Sequence, residues 1–97
     1  MSATAWNLKT FDAGPPLETP AAARVKILQP MITTGPSMHA EILSLDEHTI
    51  RVRVPRLIVI GYTVQIRSGQ RVAFGSVRAA VQVGAEYEIE VDVERLS

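Results

Sequence analysis

Three residues near the middle of the chain, Ser44, Asp46 and His48, have the types that acyl transfer requires. A serine can attack, an imidazole can take its proton and a carboxylate can orient the imidazole. Their spacing argues against that chemistry. Residues two apart on one short stretch do not easily stack as nucleophile, base and orienter. No glycine-rich oxyanion loop or nucleophile elbow accompanies them. The three read instead as the end of a strand and the hairpin turn after it. His39 and His48 are also of metal-ligating type. Two histidines with no cysteine and no tight ligand cluster make a weak case for a metal, and outward-facing polar positions account for both. No catalytic set, metal or cofactor is expected.

Charge is the second source of chemistry. Glu86, Glu88, Glu90, Asp92 and Glu94 alternate along the C-terminal stretch, so a strand there would carry them on one face. Such a stripe could dock a basic partner or a cation. It could also face arginines on neighbouring strands, with Arg24, Arg51, Arg53, Arg67 and Arg78 available. Like charges along one strand repel and opposite charges across strands attract, so pairing is the expected arrangement.

These residues need elements to position them. From Arg24 onward the hydrophobic period is two. Val25 and Ile27 alternate with Arg24 and Lys26, Ala40 and Ile42 with His39 and Glu41, and Ile50, Val52 and Val54 with Arg51 and Arg53. The same pattern recurs in Tyr62, Val64 and Ile66, and in Tyr87, Ile89, Val91 and Val93. Alternation rich in β-branched residues predicts half-buried strands. The turn signals between runs are Thr34-Gly35-Pro36, Asp46-Glu47-His48, Ser68-Gly69 and Val83-Gly84. The fifth run is irregular: Val72 and Phe74 share one parity, Val77, Ala79 and Val81 the other. A β-bulge or bend at Gly75 would reconcile them. Six short strands joined this way predict an antiparallel barrel or sandwich.

Residues 1–22 differ. Gly14, Pro15, Pro16, Pro20 and the run Ala21 to Ala23 predict an irregular segment. Trp6, Leu8 and Phe11 could anchor it to the barrel or to a second copy. The division expected is an irregular segment over 1–22 and a barrel over 23–97.

At 97 residues there is room for one core. The absence of cysteine fits a reducing compartment. There is no secretory signal pattern at the N-terminus and no apolar run approaching the roughly 20 residues of a membrane helix. A cytoplasmic, non-membrane protein is expected. Lys and Arg number 10 and so do Asp and Glu, which argues against nucleic acid as partner.

The stretch from Ile42 to Pro55, Ile-Leu-Ser-Leu-Asp-Glu-His-Thr-Ile-Arg-Val-Arg-Val-Pro, resembles the central hairpin of PilZ domains. Gly61 to Arg67 resembles that family's glycine-led next strand. Gly75-Ser76-Val77-Arg78 resembles its G-x-V-x segment, and Tyr87 to Asp92 its closing Y-x-I-G-V-E strand. The resemblance covers about Arg24 to Leu96. It implies a small six-stranded antiparallel β-barrel in a bacterial regulatory protein, of a family that commonly binds cyclic di-GMP. The ligand positions it points to, together with the adjoining basic residues, are Arg24, Ser44, Asp46, Thr49, Arg51 and Arg53. The family's D-x-S-x-x-G turn is altered here: Ser44 replaces Asp, Asp46 replaces Ser and Thr49 replaces Gly. The R-x-x-x-R motif upstream is missing. Arginine can bind a phosphate bidentately and stack on a base, and each charge-assisted bond lost costs roughly 1.5–3 kcal/mol. Cyclic di-GMP binding is therefore expected to be weak or absent. The expected function is a degenerate PilZ-like module working through protein contacts; the alternative is a nucleotide held in a non-standard way by Arg24, Arg51 or Arg53. Leu57, Ile58, Val59 and Ile60 form the longest aliphatic run. They are either a buried loop that closes the barrel or an exposed patch for a protein partner or self-association.

Overall fold

The structure, a computed structural model, describes residues 19–29, 37–46 and 48–96. Six strands follow in chain order: β1 Ala21–Gln29, β2 Met38–Leu45, β3 Thr49–Val54, β4 Thr63–Ser68, β5 Arg71–Val83 and β6 Glu86–Leu96. They form a closed antiparallel barrel in the order β1-β2-β3-β6-β5-β4, with β4 returning to β1. No helix long and apolar enough to cross a membrane occurs among the described residues.

Alternation explains the core. The largest fully buried side chains are all isoleucine or valine, among them Val25, Ile42, Val52, Ile66, Ile89 and Val91. Branching at Cβ suits the pleated wall of a narrow barrel. Each such side chain contributes roughly 1.5–3 kcal/mol on burial, set against a chain-ordering cost of similar total size. Ser68 closes the β1–β4 seam: its Oγ donates to the Ala22 carbonyl at 2.9 Å. β1 begins at Ala21, two residues before the barrel boundary expected from composition, because Ala21 and Ala22 pair with Ile42 and Glu41. Trp6, Leu8, Phe11 and the Thr34-Gly35-Pro36 turn lie outside the described residues.

Two hairpins close on two-residue turns. Gly69 and Gly84 each hold the first turn position at positive φ (64° and 63°). Only glycine enters that region without strain, and such turns match strand twist.

The β5–β6 ladder has two bulges, one on each strand. The bend expected at Gly75 is not in β5, which keeps its register with β4 there; the extra residue at that level is Glu94 of β6, and β5 itself switches parity at Arg78, between Val77 and Ala79. The inward residues are Ala73, Gly75 and Val77, whereas Val72 and Phe74 are only half-buried. Val81, aligned by sequence parity with Val77, faces solvent because the bulge at Arg78 intervenes. Gly75 faces the interior, where a Cβ would collide with the Asp92 carbonyl oxygen and approach Val91 Cγ1 at 2.8 Å. Glycine at this point lets β5 press closely on β6.

Candidate functional site

The β2–β3 hairpin also carries a bulge. Ile42 pairs with Val52, but Ser44 pairs with Arg51, leaving Leu43 as the extra residue. Without it Ser44 would share the inward parity of Ile42. With it, Ser44 stands on the outer face beside Arg51, and both are exposed. The turn is held by the Asp46 N–H, which donates to the Thr49 carbonyl at 2.8 Å, and by the Val93 N–H, which donates to the His48 carbonyl at 2.7 Å.

Around this hairpin lies a shallow, solvent-open depression of about 160 Å³ lined by Ser44, Asp46, Thr49, Arg51, Arg78 and Glu90. Four of the six residues that the sequence pointed to, Ser44, Asp46, Thr49 and Arg51, thus converge. Register explains the wall opposite: Arg51 faces Glu90, Arg53 faces Glu88 and Thr49 faces Asp92 across β3 and β6. Arg51 bonds Glu90 at 2.8 Å. Arg78 is the extra residue of the β5 bulge; its guanidinium leans over β6 to Glu90 at 3.6 Å and Asp92 at 3.2 Å. Glu90 therefore serves two arginines. Its hydrogen bond, then its charge, hold the Arg51 guanidinium above the ordinary arginine value; slight burial opposes this and Glu88 adds to it.

Arg53 lies one step along β3, outside the depression, between Glu88 at 3.4 Å and Glu41 at 3.6 Å. Ser76 Oγ donates to Glu94 at 2.7 Å. The acidic face of β6 is thus paired from both flanks, as opposite charges across strands favour.

Arg24 is not brought to this site. It lies on β1 opposite His39 and Arg67, roughly 20 Å from Arg51 by strand spacing, and its Nη1 donates to Ser37 Oγ at 3.4 Å. His39 and His48 sit at opposite ends of the β2–β3 hairpin. Among the described residues no group of three or more His, Asp or Glu side chains is placed to hold a metal ion.

The run from Leu57 to Ile60 divides. Ile58 is fully buried and belongs to the core, so it is not part of a partner surface. A carboxylate there would test folding, not association. Leu57, Val59 and Ile60 are 54%, 47% and 60% exposed. The loop must cross the barrel end from β3 to β4, and of the run's four side chains Ile58 alone is buried there.

Residues overlooked as part of the site are Arg78 and Glu90, which the sequence suggested only as members of a charge pair. Bulge positions decide their convergence, and a bulge leaves little trace in alternation. No protein-family model, curated protein or solved structure matches this chain.

Proposed function

We propose that this barrel is a degenerate PilZ-like regulatory module that acts through protein contacts and does not hold cyclic di-GMP at its hairpin. One observation carries the reading. The cations at the depression, Arg51 and Arg78, are already bonded to Glu90 and Asp92. A phosphate would have to displace a carboxylate, so each bond gained is offset by one lost. Glu90 itself would repel the incoming anion. The altered hairpin residues Ser44, Asp46 and Thr49 add to this. The exposed Leu57, Val59 and Ile60 suit contact with a protein.

Calorimetric titration with cyclic di-GMP at low salt tests the reading, with Arg51→Ala as control. The expected result is no binding tighter than about 100 µM. Low-micromolar binding abolished by Arg51→Ala would overturn it. A second reading, a nucleotide held elsewhere, is favoured by Arg24 and Arg67. They face each other on strands that carry no acidic residue. Binding lost in Arg24→Ala but kept in Arg51→Ala would select it.

A further inference from the structure

The β5–β6 hairpin outgrows the barrel. β4 pairs with β5 only from Arg71 to Ser76. Two further bonds extend that seam: the Val77 N–H donates to the Tyr62 carbonyl at 2.9 Å, and the Gly61 N–H donates to the Val77 carbonyl at 2.8 Å. Beyond Val77, β5 continues to Val83, paired with β6 on one side. Among the described residues no strand lies on its other side.

The groups left open follow from the ladder. In a two-residue hairpin the closing pair, here Val83 with Glu86, is hydrogen-bonded. Alternation then makes Val81–Glu88 and Ala79–Glu90 hydrogen-bonded pairs as well. Ala80 and Gln82 therefore direct their N–H and C=O groups away from β6, toward the open edge. The Val77 bonds to the β4 side agree with this phase. The outward side chains are Ala79, Val81 and Val83; Val81 is 61% and Val83 45% exposed.

We infer that this edge pairs with the same edge of a second copy, antiparallel, about a two-fold axis through Val81. Ala80 of each copy then faces Gln82 of the other, and both pairs are hydrogen-bonded, giving four main-chain bonds. The register is self-complementary because the two open residues flank Val81 symmetrically. Val81 meets its counterpart in the closer, non-hydrogen-bonded position, and Val83 lies opposite Ala79. No charged residue occurs from Ala79 to Ala85, so the edge lacks the lysine that commonly blocks such pairing. The Glu88 side chains of the two copies would stand three strand spacings apart, about 14 Å, beyond the roughly 8 Å screening length at physiological salt. The contact is small against the roughly 1,200 Å² of a stable interface. A weak dimer follows, with a dissociation constant on the order of 100 µM. This inference stands on the hairpin alone and is unaffected by the outcome of the cyclic di-GMP titration.

Sedimentation equilibrium from about 10 µM to about 1 mM should reveal a monomer–dimer equilibrium in this range. Ala80→Pro removes only an N–H that faces the open edge, a position where proline is tolerated. It should keep the circular dichroism of the barrel and weaken dimerisation at least about tenfold. Val81→Cys gives a second, independent measurement, since the chain has no native cysteine. Cα atoms about 4.5 Å apart in a non-hydrogen-bonded pair suit a disulfide. Mild oxidation should cross-link Val81→Cys far faster than the exposed loop control Ile60→Cys. A monomer throughout the range, a dimer unaffected by Ala80→Pro in the folded protein, or equal cross-linking of the two cysteine variants would each overturn the inference.

Discussion

Arginine does different work on two outer faces of this barrel. On β3, β6 and β5, Arg51, Arg53 and Arg78 interleave with Glu88, Glu90 and Asp92, and each guanidinium reaches at least one carboxylate. On β1 and β4, Arg24 stands directly opposite Arg67, with Lys26 one step along and no acidic residue on either strand. The residue type is the same; the neighbouring strand differs. The first face spends its charge internally and offers little to an anion. The second keeps its positive charge and accepts a like-charge repulsion across the seam that closes the barrel.

Substitutions can break this comparison, and the largest effect is expected where the paired face depends on backbone. Gly75→Ala would push β5 off β6 at Asp92, where a Cβ has no space. Overpacking of this kind costs about 1–3 kcal/mol. Denaturant titration should register that loss, and a change below about 0.3 kcal/mol would mean that β5 shifts without strain. Next comes Glu90→Lys, which places three cations side by side where Glu90 now serves Arg51 and Arg78. Its melting temperature should fall by about 5 °C, and added salt should recover part of the fall. Smallest and opposite in sign is Arg67→Glu. It turns the Arg24 seam into an opposite-charge pair and should stabilise by about 0.2–1 kcal/mol, most at low salt. If Arg67→Glu destabilises instead, the two faces do not differ in the way their strand neighbours imply.

The all-β barrel and most of its strands were legible in the alternation from Arg24 onward. Period two is a local property, and a closed wall with one dry side selects for it at each position. The pairing of the acidic face was legible for the same reason, since β6 had to present Glu88, Glu90 and Asp92 together. Three particulars were not legible. Ser44 shares the parity of Ile42, and only the bulge at Leu43 turns it outward. Val81 shares the parity of Val77, and the bulge at Arg78 turns it to solvent. Ile58 sits in an aliphatic run whose neighbours have the same chemistry, and only the path of the loop across the barrel end buries it alone.

Sequence by itself determined that the chain alternates into strands, that the interior is aliphatic and β-branched, and that arginines and acids lie outside. Those outcomes depend on each residue and its neighbours two positions away. The tertiary structure alone decided which arginine meets which carboxylate, where the register slips, and which stretch of β5 has no second strand beside it among the described residues. Those depend on strand order, closure and unequal strand lengths: β4 is six residues long and β5 thirteen. That difference leaves the outer end of β5 open among the described residues, and no local pattern of side chains records it.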